Sequence, residues 1–203
     1  MKRSTTTNLI IALSVSATGL MGCPPALTSK ITLSPKVPAA LTERVPFSIG
    51  LSFTPEFLMY HQQEGPVGPP ERTSMMDYDL GPASEALFIE TFIRMARGVV
   101  RVDGRPPYGS PAEVTAAIVI EPQIVGFGQE HPAYWIYTAH IEYRVIVFDR
   151  TGAVLLDKVY RGDGDQGAKT DSPDSSYAAV AGIAMTRAIA ALVKDVSQLA
   201  VTP

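Results

Sequence analysis

The chain has 203 residues, 46% of them hydrophobic, enough to bury a core of its own. Its 17 basic and 20 acidic side chains leave a net charge of −3 with no basic stripe, which excludes a nucleic-acid binder on electrostatic grounds. A single cysteine excludes an internal disulfide.

The chain opens with Lys2 and Arg3, then an uncharged, mostly apolar run from Leu9 to Leu20. A spanning helix needs about 20 apolar residues, so this run reads as the core of a secretory leader. It closes on Leu20-Met21-Gly22-Cys23, which resembles a bacterial lipobox. Leu20 and Gly22 fit that pattern, whereas Met21 stands where a small or β-branched residue is commoner. The resemblance implies cleavage before Cys23, acylation of that cysteine with chains such as palmitate, and a lipid anchor in a membrane. The competing reading is an ordinary leader with an incidental cysteine. An unpaired thiol in an oxidising compartment is a liability, however, and acylation removes it. One acyl chain holds only marginally, at about 0.8 kcal/mol per buried CH₂, so the several chains of a lipoprotein are what make the anchor durable. Pro24 follows the cysteine. An Asp there retains lipoproteins of enteric-type bacteria in the inner membrane, so the expected address is the periplasmic face of the outer membrane, with the inner membrane second.

After residues 1–22 as leader, residues 23–45 read as a tether. Five prolines from Cys23 through Pro46 oppose a helix. Lys30–Ser34 still has the composition of an edge strand. Residues 46–203 read as one domain. Phe47, Ile49, Leu51 and Phe53 alternate with Ser48, Gly50, Ser52 and Thr54, the period of a half-buried strand. Residues 61–82, rich in Gly, Pro and Gln, predict a long loop. A helix follows over about Pro82–Arg97, with an apolar stripe through Leu87, Phe88, Phe92 and Met95 and Gly98 as its cap. Strands are predicted at Val99–Val102, Val114–Val125, Tyr134–Phe148 and Ala153–Tyr160. Pro122 marks an edge or a bulge. Asp149-Arg150-Thr151-Gly152 joins the last two strands as a hairpin turn. The stretch from Arg161 to Ser176 reads as a polar loop. The last helix, over about Ser176–Leu199, repeats Tyr177, Val180, Ala184, Ala188, Leu192 and Val196 at helical spacing. No second apolar run reads as a membrane span. Connections too short for crossover helices predict an α+β fold: a single two-layer domain, a mainly antiparallel sheet of about five strands with two helices on one face.

Candidate chemistry is sparse. Asp163-Gly164-Asp165-Gln166-Gly167 has the composition of a calcium loop, yet Ala168 falls at the glycine position, Asp174 replaces the bidentate Glu, and no helix precedes it. A solvated loop of turn-forming residues is the expectation. Arg161-Gly162-Asp163 is an integrin-type tripeptide of the kind that recurs by chance. His61, His131 and His140 lack zinc-site spacing. No nucleophile elbow, dithiol motif or phosphate loop occurs, so no metal, cofactor or catalytic residue is expected. A hydrolase would need the fold to gather a serine, a histidine and an aspartate. Glu142 and Arg144, two apart on a strand, are candidates for a surface ion pair. Tyr134, Trp135 and Tyr137, with Tyr143 nearby, are either a sheet face under the helices or a contact surface for a partner, since Tyr and Trp are over-represented at interfaces.

The leader ending at Cys23, the strand VPFSIGLSF, the helix ASEALFIETFIRMARG running into VVRV, the strands VTAAIVIEPQIV and AHIEYRVIVFDRTGAVLLDKVYRGDG, and the C-terminal amphipathic helix together resemble the YajG-like small bacterial outer-membrane lipoproteins. The likeness spans most of residues 45–200 and is one of element order. The long loop at 61–82 departs from it. In architecture the LptE lipoprotein and the auxiliary lipoproteins of ABC-type lipid transporters are also similar. The resemblance implies an envelope protein without catalytic residues, and with the lipobox and the aromatic-rich strand it leads to the expectation of a non-catalytic component that binds an envelope protein partner. A lipid- or glycan-binding auxiliary lipoprotein of a transport system is the alternative.

Overall fold

Strand and helix periodicity translate directly into the architecture. The structure is a computed structural model and describes residues 27–39, 44–67, 74–107, 115–133, 136–167 and 173–199. In chain order the elements are β1 (Leu27–Ile31), β2 (Val45–Leu51), α1 (Pro55–Leu58), β3 (Gln62–Val67), β4 (Ser74–Tyr78), α2 (Leu80–Met95), β5 (Ala96–Arg101), β6 (Ile118–Ala133), β7 (Ile136–Asp149), β8 (Val154–Gly167) and α3 (Pro173–Ser197). The main sheet has five strands in the order β5-β2-β6-β7-β8, and a second sheet has the order β1-β4-β3.

The fold is α+β in two layers. One layer is the five-stranded sheet. The other is made of α2, α3 and the small sheet, all on one face. The antiparallel character comes from the long β6–β7–β8 meander. The other half differs from a uniformly antiparallel sheet, because β2 pairs parallel with both β5 and β6. The reason is α2, which carries the chain back across the face so that β5 re-enters in the direction of β2. Pro122 lies past Ile120, the last β6 residue that β2 pairs with, so its missing N–H interrupts no ladder on that side.

Residues 61–82 are not a continuous loop. Gln62–Val67 and Ser74–Tyr78 pair antiparallel as β3 and β4. Met76 and Tyr78 point inward, at 4% and 0% exposure, while Gln63 is exposed. Two apolar anchors on one face suffice to hold a strand whose composition is otherwise polar. Nor does all of the proline-rich segment stand off the domain. Leu27–Ile31 pairs parallel with β4 as an edge strand, Ile31 is buried, and Thr186 of α3 donates to the Lys36 carbonyl at 2.7 Å. Cys23 lies outside the described residues.

The core centres on Phe88 of α2. Its ring is 5.4 Å from Tyr143, 6.0 Å from Phe57 and 6.2 Å from Phe92, with the Phe57 and Tyr143 contacts edge-on. Phe57 arrives on α1, whose start is capped by Thr54 accepting from the Phe57 N–H at 3.2 Å. α3 is long and apolar enough to cross a membrane by length and composition. Here Val180, Ala184, Ala188, Leu192 and Val196 are instead fully buried beneath it, against β7 and β8.

β8 is the largest departure from expectation. Arg161–Gly167 continues the strand instead of forming a loop. A Cβ on Gly162 would collide with the carbonyl of Ala184, and one on Gly164 with that of Val180. The two glycines, two apart on one strand face, let α3 lie directly on the backbone of β8. The preceding turn is as expected. Gly152 takes φ +89°, and the Asp149 carboxylate accepts from the Thr151 N–H, the Thr151 hydroxyl and the Ala153 N–H at 2.8, 2.7 and 2.9 Å. These bonds, led by that of the Thr151 side chain, hold the Asp149 carboxyl below its usual range.

Candidate functional site

Tyr134 and Trp135 lie outside the described residues. Tyr137 is 7% exposed, and its ring meets Tyr177 of α3 edge-on at 4.8 Å. It faces the covered side of the sheet, so it packs the core and offers no surface to a partner. Tyr143 does the same more deeply. Its hydroxyl and that of Ser84 are 2.7 Å apart with both residues fully buried, and burial pushes the phenol pKa up.

Nor does the structure gather the other candidates. His61 is exposed, 3.7 Å from Asp77. His140 lies on the opposite sheet face, its ring over the backbone of Gly128. The side chain of His131 is outside the description. Among the described residues no group of three or more His, Cys, Asp or Glu side chains could hold a metal ion. Asp163 and Asp165 do not converge on a point. The Asp163 carboxylate accepts from Arg161 and the Asp165 carboxylate from Arg187, both at 3.0 Å.

What the fold does expose is the sheet face opposite the helices, where polar side chains of β6, β7 and β8 form cross-strand rows. Glu142 and Arg144 share this face but do not pair with each other. Each pairs with the neighbouring strand: Arg161 stands directly opposite Glu142, while Asp157 lies diagonally from Arg144, whose facing residue is Val159, within reach of the long guanidinium side chain. Arg144 binds Asp157 through two bonds of 2.9 and 2.6 Å, and Arg161 reaches Glu142 at 3.2 Å. The Arg144 guanidinium holds the Asp157 carboxyl below its usual range.

The same face carries one pair of a different kind. Arg105 grips Glu121 with two bonds of 2.6 Å, and Gln123 adds a third at 3.2 Å. The Glu121 side chain is 2% exposed while that of Arg105 is 56% exposed. The hydrogen bond from Arg105 outweighs desolvation and lowers the Glu121 pKa. Arg105 also lies over the ring of Phe148, 5.7 Å from its centre. The pair borders an open cleft of about 420 Å³ that Thr54, Phe57 and Tyr60 complete. A carboxylate held ionised by a permanent cation neither donates nor readily takes a proton near neutrality, so Glu121 is poorly suited to general acid–base chemistry. Sequence reasoning missed it because Arg105 and Glu121 belong to separate segments, and only the register of β6 brings them together.

A second groove, of about 580 Å³, runs along the outer side of α3 against residues 34–36. Ala178, Ala179, Gly182 and Ile183 give it an apolar floor, with Lys36 and Arg187 among its walls.

No family model and no curated protein matches the chain. The fold, however, is known. Protein XCC0632 from Xanthomonas campestris, described under the family model DUF330, superposes with a TM-score of 0.55 at 12% identity, over 86% of this chain and 100% of that one. At that identity the likeness is one of fold. Protein CT253 from Chlamydia trachomatis is similar at a TM-score of 0.45 and 10% identity, over 75% of this chain and 96% of its own. A putative lipoprotein from Caulobacter crescentus reaches 0.29 at 18% identity, over 43% of this chain and 64% of its own. Neither of these two values is high enough to establish a common fold.

Proposed function

We propose that the protein is a lipid-anchored, non-catalytic component of a bacterial cell envelope that binds a protein partner there. The observation that carries this reading is the N-terminal sequence: Lys2 and Arg3, the apolar run to Leu20, and Leu20-Met21-Gly22-Cys23 around the single thiol of the chain. Pro24 in place of Asp favours the outer membrane, and the element order resembling YajG-like lipoproteins agrees with that address. The polar rows on the open sheet face suit recognition by another protein, since complementary charges confer specificity and steer encounter more than they add affinity.

The test is metabolic labelling with a palmitate analogue in a bacterial host. The wild-type chain takes up label and partitions with membranes, whereas Cys23→Ser takes up none. Label retained on Cys23→Ser refutes the anchor. Crosslinking of the anchored protein followed by mass spectrometry then recovers an envelope protein. If only non-specific neighbours recur under native conditions, the partner reading fails.

The groove along α3 favours a second reading, a lipid-binding auxiliary role, because an apolar floor with two cations suits an acyl chain with an anionic headgroup. Native mass spectrometry of the purified protein decides it. A bound phospholipid supports this reading, and a ligand-free mass under conditions that keep lipid bound elsewhere sinks it.

A further inference from the structure

Strand β8 ends the main sheet, and among the described residues no strand pairs with its outer edge. Fourteen residues long and free of proline, it is an edge of the kind that recruits another strand. Val159 is 49% exposed at its middle, with Val154 and Leu155 exposed at its start. The carbonyl of Asp163 accepts from Arg187 at 2.5 Å and so points away from β7. Strand alternation then turns the N–H and C=O groups of Asp157, Val159 and Arg161 outward as well. The side chains of these same residues lie on the open face.

We propose that this edge is the interface between two copies of the chain, which pair antiparallel about a two-fold axis at Val159 and join their five-stranded sheets. The register follows from charge. Centred on Val159, each Asp157 stands opposite the other copy's Arg161, twice by symmetry, with Val159 opposite Val159. The rows already present then continue across the joint with alternating sign, from Glu142 and Arg161 to the second copy's Asp157 and Arg144. Centring one residue later sets Asp157 against Asp163. Centring two residues earlier sets Asp157 against itself. Like charges directly opposed are unfavourable on a sheet. On the helix side the chosen register places Lys158 beside the second copy's Tyr160. Asp195 already bridges these two residue types within one copy, at 2.8 and 2.9 Å. A self-complementary patch of this kind is what an isologous dimer requires.

The test uses the full chain in a bacterial envelope. Facing residues of a hydrogen-bonded antiparallel pair have Cα atoms about 5.5 Å apart, within reach of a disulfide. Val159→Cys therefore gives a disulfide-linked dimer on mild oxidation. The parent chain, with Cys23 alone, and Ile93→Cys, on the exposed side of α2, do not. Adding Asp157→Arg or Arg161→Asp to Val159→Cys lowers the dimer yield about tenfold in each case. Coexpressing the two charge variants under different tags restores it as a mixed dimer, because opposite charges again face each other between positions 157 and 161 of the two copies. Monomeric Val159→Cys overturns the proposal, and it does so without any charge change to confuse folding with pairing. Equal crosslinking of Ile93→Cys, or no gain on mixing, overturns it too. Palmitate labelling of the Val159→Cys chain reports the anchor separately, so the two readings fail independently.

Discussion

Gly164→Ala tests the contact on which the helix layer depends. The added methyl would overlap the Val180 carbonyl and approach the Ala184 nitrogen to 3.0 Å. Both are backbone atoms in the middle of α3, and the helix is held by Val180, Ala184, Ala188 and Leu192, all at 0% exposure. No side chain can rotate to make room, so the helix must lift. Overpacking of this kind costs typically about 1–3 kcal/mol, and the rigidity of both backbones places this case near the upper end. In a domain of this size about 3 kcal/mol corresponds to a Tm lowered by roughly 6–12 °C. Gly162→Ala meets the Ala184 carbonyl in the same way and has a similar effect. Because both changes lift one helix, the double variant loses less than the sum. Gly126→Ala is the control, since its methyl would meet only the flexible Glu142 side chain, at 3.2 Å. Urea denaturation followed by circular dichroism reads the midpoints. A Gly164→Ala midpoint equal to that of Gly126→Ala would refute the direct seating of α3 on β8.

Tyr143→Phe leaves the buried Ser84 hydroxyl without its partner and costs about 1–3 kcal/mol, whereas Tyr143→Phe with Ser84→Ala recovers part of the loss, as a double-mutant cycle by urea denaturation will show. Glu121 has a depressed folded-state pKa, so its pair with Arg105 contributes fully above the ordinary glutamate value of about 4.3 and is lost as pH falls through the lower folded value. Stability measured between pH 6 and 3 (on the order of three pH units) therefore falls less steeply in Glu121→Gln than in the wild type. Arg105→Ala strands a buried carboxylate and costs about 2 kcal/mol near neutrality, short of the full burial penalty because Arg105 itself is half in solvent.

The elements legible in the sequence are those whose pattern is local. The alternation around Ile49 and Leu51, the stripe through Phe88 and Phe92, the Asp149–Gly152 turn and the repeat along α3 each specify an element by themselves. β8 was legible only as far as Tyr160. Asp and Gly are turn formers by local preference, so RGDGDQG reads as a loop. The reason for Gly162 and Gly164 lies some 20 residues away, in the carbonyls of α3. The β3–β4 pair was hidden for a similar reason, because only Met76 and Tyr78 mark it as half-buried. Alternation told which residues share a face but not which face the helices cover, and this is why Tyr137 could be read either way. It placed Glu142 and Arg144 together correctly and gave no register, which is what assigns each its partner on β8.

The two faces of the sheet are built from different chemistry, and the difference bears on function. The covered face uses aromatic rings, alanines and two glycines, the materials of close packing. The open face carries cross-strand charge pairs on β7 and β8, beside buried Val119, Ile146 and Phe148. Exposed ion pairs contribute about 0–1 kcal/mol each, so stability does not account for so regular an arrangement. A row of alternating charge accepts one register and rejects its neighbours, which is what the proposed β8 interface requires. The sheet's two edges also differ. β5 is six residues long and ends in Arg101, which ties back to Glu85 on α2. β8 is more than twice as long and carries Val159 between Asp157 and Arg161. A fold that needed only to blunt its edges would place lysine or proline there and keep the strand short. Lys158 is instead drawn to the helix side by Asp195, and the outward row is left self-complementary. Among the described residues, the length, exposure and charge order of β8 thus agree with the contact proposed for it, the edge of another β8.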